Sequence, residues 1–156
     1  MPVCRAAAAW SPPVLGVPKF NVDGVSKGNP GASGCGGVIR DSTKRFRGFF
    51  SINLGHGLAH EAEVKAILFS LLFCQQFSII NVIIESDSTT TVGWVNSTTN
   101  RPWKLRNELN HIDYLLQVVS ALEVKHIYRE LNIVPDYLAN IGCNRESPLW
   151  ELVEGI

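Results

Sequence analysis

Net charge is the first thing this chain lacks. Its 14 Lys+Arg balance 14 Asp+Glu, so no global basic field draws it to nucleic acid or to an anionic membrane, and any polyanion must be gripped by local patches. It also lacks an unbroken apolar run of the roughly 18 to 20 residues that a membrane span needs. The longest apolar segments, Ile67–Phe73 and Ile79–Ile84, suit a buried helix face and a core strand. Closely spaced cysteine pairs are missing too: Cys4, Cys35, Cys74 and Cys143 do not have the spacing of a zinc site. They read as small buried residues in a reducing compartment, which makes the chain intracellular without choosing between nucleus and cytoplasm. There is no internal repeat, and the opening MPVCRAAAAW, followed by SPP, has no long leucine-rich stretch to act as a secretory signal.

What is present is enough for a core. With 156 residues, 46% hydrophobic and 18% charged, the composition excludes disorder throughout and suits one domain. Residues 1–18 hold four prolines and the Ala6–Ala9 run, the composition of a flexible lead-in or linker. The domain is expected over 19–143, with 144–156 as a C-terminal tail.

Hydrophobic periodicity then divides the domain. Lys19–Val25 alternates Phe20 and Val22 against Asn21 and Asp23, the period of a strand. GNPGASG forces a turn, Gly34–Arg40 enters a second strand, and Asp41–Lys44 turns into a third over Arg45–Ile52, giving an antiparallel meander. From about His60 to Gln76 the period changes: Val64, Ile67, Leu68, Leu71 and Leu72 step by threes and fours along one helix face. Ile79–Glu85 reads as a strand buried on both faces. A short helix over Ser88–Val95, a longer one after Pro102, a last strand at Glu123–Tyr128 and a closing helix from about Pro135 to a stop at Gly142 complete the pattern. The class is α/β, with a mixed sheet.

Acids stand out at specific places in that pattern. Asp23 lies in a strand that otherwise looks buried, and Asp87 just follows the buried strand, where α/β folds often place binding groups. If parallel strands bring the two together, their mutual repulsion calls for a cation with oxygen ligands; singly, each is an ordinary strand-end residue. Glu63 sits at the border of the apolar helix face and can look toward the sheet, although the helix dipole also favours an acid in a first turn. Asp136 has the same dipole explanation. Two short basic clusters, Lys44/Arg45/Arg47 and Arg101/Lys104/Arg106, read either as solvated faces or as substrate grips.

The strings NVDGVSKGNPGASGCGGVIRD (21–41), AEVKAILFSL (62–71), IIESDS (83–88) and HIYRELNIVPDYLA (126–139) resemble, in order and on the elements just described, the ribonuclease H type 1 domain. The likeness is to the plant branch associated with retrotransposon reverse transcriptases, and it runs from about Lys19 to Gly142. It implies a ribonuclease H-like fold with a five-stranded mixed sheet and flanking helices, and endonucleolytic hydrolysis of the RNA strand of RNA–DNA hybrids by two-metal-ion catalysis. By motif, Asp23, Glu63, Asp87 and Asp136 are the ligands of two Mg²⁺ ions, for which Mn²⁺ can substitute, and His126 is the proton-moving histidine. Two such ions activate a water and neutralise charge at the leaving oxygen.

Gly24, Asn29, Thr89 and Asn132 are the implied substrate-binding residues, with Thr89 standing where some members carry Gln. Pro135 replaces the small residue usual before the last Asp, and Asn96–Pro102 takes the place of the basic protrusion of other members. The expected partners are an RNA–DNA hybrid and an upstream reverse-transcriptase domain in a longer polyprotein, with the chain itself a monomer and no membrane. The alternatives are a retroelement-derived nucleic-acid-binding module with little or no turnover, and a structural domain whose sheet serves protein contacts.

Overall fold

A computed structural model describes residues 16–153. The lead-in read over 1–18 therefore lies almost wholly outside the described residues, as does Cys4. A six-stranded sheet runs in the order β5-β4-β1-β2-β3-β6. β1 (Lys19–Lys27), β2 (Gly31–Arg40) and β3 (Phe46–Gly57) form the antiparallel meander, and β4 (Ile83–Ser86) and β5 (Glu123–His126) add in parallel on the β1 side. β6 (Leu149–Leu152) pairs antiparallel with β3. The helices are α1 (Ala59–Gln76), α2 (Thr89–Asn96), α3 (Arg106–Val118) and α4 (Ile133–Gly142).

The sixth strand corrects the expected count of five. Its sequence, LWEL, lies in the stretch read as a tail, and Trp150 is what fixes it there. The indole packs in tilted contact with Phe73 and Phe50, ring centroids 5.1 and 5.6 Å away, and its N–H donates to Gln76 Oε1 at 3.0 Å, so burial of one large aromatic face holds a four-residue strand on the sheet edge. β4 is also shorter than expected. Ser78 and Asn81 take left-handed backbone (φ 56° and 58°), so residues 79–82 turn before the strand begins.

Alternation on β1 sorts the two faces of the sheet. Phe20 and Val22 face α1 and the main core with Phe50, Ile67, Leu71, Phe73, Ile84 and Ile112. Asn21 and Asp23 face the other side, where α4 lies. There α4 comes so close that a Cβ on Gly36 would sit 2.5 Å from Leu138 Cβ, and the Ser51 hydroxyl donates to the Leu138 carbonyl at 2.5 Å. β4 is buried on both faces, but the second is polar. Glu85, 2% exposed, accepts from Asn21 Nδ2 at 2.9 Å and lies 3.2 Å from Lys19 Nζ and 3.5 Å from Lys125 Nζ.

Arg101 locks α2 to α3. Its guanidinium donates to Asp113 at 2.6 and 2.8 Å, and its Nε to the carbonyls of Trp94 and Ser97 at 2.8 and 2.9 Å, satisfying the open C-terminal end of α2. One member of the second basic cluster is thus committed to structure. Arg101→Ala should cost about 2 kcal/mol by loss of a charge-assisted, largely buried clamp. Arg101→Lys should recover little of it, because an ammonium cannot reproduce the planar fork; thermal unfolding of the two variants checks this.

Candidate active site

Register brings the acids together. Val22 on β1 pairs with Ser86 on β4 in parallel, so the next residues along, Asp23 and Asp87, leave neighbouring strand positions at the same end of the sheet. Gly24 then lets α1 approach. Its missing side chain leaves the Ala62 backbone so close that a Cβ would lie 2.2 Å from the Ala62 carbonyl carbon, and this delivers Glu63, the next residue of α1, to the strand end. Carboxylate oxygens of Asp23, Glu63 and Asp87 all lie within 4.8 Å of one another. Asp136, in the first turn of α4, lies near enough to Asp23 to raise its pKa.

Asp23 sits at the centre, 5% exposed. Burial first, then the charge of Asp87, the contact with Asp136 and the charge of Glu63 push its carboxyl up to about 9. Burial also raises Glu63, partly offset by a hydrogen bond with Ser88 and by His60. Asp87 is raised by burial as well, against the opposing pull of Arg129. A cluster of hard oxygen donors that resist ionising together fits a divalent cation of the Mg²⁺ class, which would remove that repulsion.

The other expected residues are distributed around these acids. His126 is exposed at the end of β5, edge-on to Tyr128 at 5.9 Å. Gly24 is buried, and its N–H donates to Asp23 Oδ1 at 2.9 Å, orienting the acid. Asn29, in the exposed β1–β2 turn, accepts from the Ala59 N–H at 2.9 Å at the start of α1. Thr89 is exposed at the first position of α2. Asn132 is fully buried; its Nδ2 donates to the Val22 carbonyl at 2.7 Å, tying the start of α4 to β1 beside Asp23, while its Oδ1 has no hydrogen-bond partner among the described residues. Pro135 explains part of that gap, since proline has no N–H at a position where a helix cap usually finds a donor.

Three neighbours escape sequence reasoning. Arg129 Nε lies 3.8 Å from Asp87 Oδ2, His60 Nδ1 lies 3.7 Å from Glu63 Oε2, and Ser88 caps α2 by accepting from the Thr91 N–H at 3.2 Å. Only Ser88 carried a signal, as a hydroxyl residue ahead of a helix. The His60 ring also packs edge-on to Trp94 of α2 at 5.5 Å.

Comparison with known proteins agrees with this geometry. The family described as reverse transcriptase-like matches residues 21–142. A curated relative from Arabidopsis thaliana with a provisional ribonuclease H name is 35% identical over 131 residues, covering 84% of this chain; the chain spans 21% of that relative's length. Among solved structures, ribonuclease H1 of the archaeon Halobacterium salinarum superposes with a TM-score of 0.78 at 22% identity, covering 83% of this chain and 98% of its own. The ribonuclease H1 called LC11, solved with an RNA/DNA hybrid, gives 0.75 at 26% identity, covering 81% and 96%.

Proposed function

The chain belongs to the reverse transcriptase-like family, whose fold is that of a ribonuclease H domain, and from that premise we propose that it hydrolyses the RNA strand of RNA–DNA hybrids. The observation that carries the reading is the convergence of the Asp23, Glu63 and Asp87 carboxylates within 4.8 Å of one another, with Asp23 buried and Asp136 near enough to raise its pKa. Asp23, Glu63, Asp87 and Asp136 would hold two Mg²⁺ ions. When bound, these supply an activated water and neutralise charge on the leaving oxygen.

The chain's own residues do the rest. Gly24 N–H holds one Asp23 oxygen, His60 lies beside Glu63, and Arg129 flanks Asp87 at the exposed rim, where its guanidinium can meet a phosphate. His126, open to solvent beside this rim, moves a proton to or from the departing strand. Asn29 has an exposed amide and Thr89 an exposed hydroxyl for the 2′-hydroxyls and phosphates that distinguish an RNA strand. Asn132, buried, acts by holding β1 and α4 in register. An upstream reverse-transcriptase module is the proposed neighbour in a longer chain.

Cleavage of end-labelled RNA–DNA, RNA–RNA and DNA–DNA duplexes in millimolar Mg²⁺ tests the proposal. Only the RNA of the hybrid should be cut, and binding without cleavage would favour the non-catalytic module. His126→Ala should lower kcat by about 10² or less with hybrid affinity nearly intact; a larger loss, or a loss confined to binding, contradicts its role in proton transfer.

A further inference from the structure

Glu63 has the longest side chain among the four acids. Asp23 and Asp87 leave neighbouring strand ends on short side chains, and the Gly24 N–H holds one oxygen of Asp23. A glutamate has one more rotatable bond, whose freedom must be given up before its carboxylate can stay with the others. The restraint comes from one turn earlier on α1. Helix side chains lean toward the N-terminus and residues three apart share a face, so Glu63 lies back over His60, whose Nδ1 is 3.7 Å from Glu63 Oε2. That is too far for a direct hydrogen bond and close enough for the imidazole to limit where the carboxylate can swing.

The His60 side chain is itself 58% exposed, so burial does not hold its ring. Trp94 of α2 does. The two rings meet edge to face, centroids 5.5 Å apart and planes at 69°. Trp94 is in turn fixed: half-buried, it packs against the main core, and its carbonyl accepts from Arg101 Nε at 2.8 Å. Two residues on, Asn96 Nδ2 donates to the Val124 carbonyl at 2.8 Å and ties the end of α2 to β5. A continuous line of contacts thus runs from the Arg101 clamp through Trp94 and His60 to Glu63. The hydrolytic reading gives Trp94 no task and His60 only a place.

We propose that His60 is a positioning residue: braced on Trp94, its ring selects the Glu63 rotamer that turns the carboxylate toward Asp23 and Asp87, and so tightens the hold of the acids on a divalent cation. The proposal rests on the reading of these acids as a metal centre, where loss of a residue that orients a ligand commonly weakens metal binding by about 10- to 100-fold. It makes the affinity of the site depend on α2, an element that supplies none of the four acids.

The test uses the full chain and two readouts. In EDTA, side-chain NMR couplings should report a single Glu63 rotamer in the wild type and averaging in His60→Ala and Trp94→Leu. With Mn²⁺ added, calorimetry should show each substitution weakening the ion by about tenfold or more. The double variant should lie within about twofold of the weaker single one, because the two residues act along one line of contacts. His60→Phe keeps a flat ring against Trp94 and should stay within about threefold of the wild type. Cooperative thermal unfolding in EDTA confirms that each variant folds, and His60→Ala, at a mostly exposed position, should melt close to the wild type.

The brace and the metal centre fail separately. Mn²⁺ affinity indifferent to either single substitution, losses that multiply in the double variant, or a Glu63 rotamer already averaged in the wild type would each overturn the proposal and leave the metal centre in place. His60→Phe as weak as His60→Ala would overturn the packing route from Trp94. No Mn²⁺ bound by the wild type, with Glu63 ordered there and freed by both substitutions, would refute the metal centre and leave the brace standing.

Discussion

Asp23→Asn should lower hydrolysis of the hybrid by about a thousandfold or more, ~4 kcal/mol of barrier, while making the metal-free protein more stable near neutral pH. Both effects come from one carboxyl. Asp23 is the shared neighbour of the other three acids, so its charge is the one most needed when cations are bound and the one most costly when they are absent. The sign follows from linkage. The folded-state pKa, about 9, lies above the unfolded value of about 4, so the native state holds a proton that the unfolded state releases over that window. The contribution of Asp23 to stability is full below the unfolded value and is lost as pH rises through the folded one. The amide substitution removes that dependence. Melting curves of the two proteins in EDTA across pH 4–9 should therefore diverge as pH rises, the variant melting higher. Millimolar Mg²⁺ should raise the wild-type melting temperature and do little for the variant. Parallel curves, or a variant that melts lower throughout, contradict this account of the cluster.

Gly24→Ala should be among the most damaging single-methyl changes in the chain. The added carbon would meet the Ala62 backbone at 2.2–2.5 Å, including the Glu63 amide nitrogen; neither is a flexible side chain that can move aside, so α1 must shift from β1. Overpacking of this kind costs about 3 kcal/mol, and because Glu63 travels with α1, kcat should fall by about 10² even in the folded fraction. Gly93→Ala is the matched control. A Cβ there meets nothing within 4 Å on exposed α2, so that change should be neutral or stabilise by about 0.5–1 kcal/mol. Urea unfolding and saturating-substrate kinetics on both variants decide the matter, and similar behaviour of the two would refute the close-approach argument.

Much of this was legible because local pattern and tertiary outcome agree. The alternation of Phe20 and Val22 against Asn21 and Asp23 gives β1 and assigns Asp23 to the face away from the core, and the threefold and fourfold spacing in α1 gives its buried stripe. What stayed hidden depends on partners remote in sequence. The LWEL strand exists because Trp150 finds Phe50 and Phe73. Glu85 is tolerated in a buried strand because Lys19 and Lys125 are brought to it by β1 and β5. The turn at 78–81 needs left-handed backbone at Ser78 and Asn81 that no glycine announces. At the site, the spacing of Asp87 and Arg129 carries no local period, so their contact emerges only from the fold. Asn132 shows the same limit in reverse: the resemblance marks it as a substrate contact, while its full burial and its bond to Val22, which join α4 to β1, are set by the fold.

The most direct measurement is anomalous diffraction from crystals soaked in Mn²⁺. Two peaks, both in contact with the Asp23 carboxylate and shared out among Glu63, Asp87 and Asp136, are the predicted result, and both should vanish in Asp23→Asn. No peak at the acids, or ions bound only elsewhere on the surface, would contradict the claim that these carboxylates form the metal centre of a nuclease.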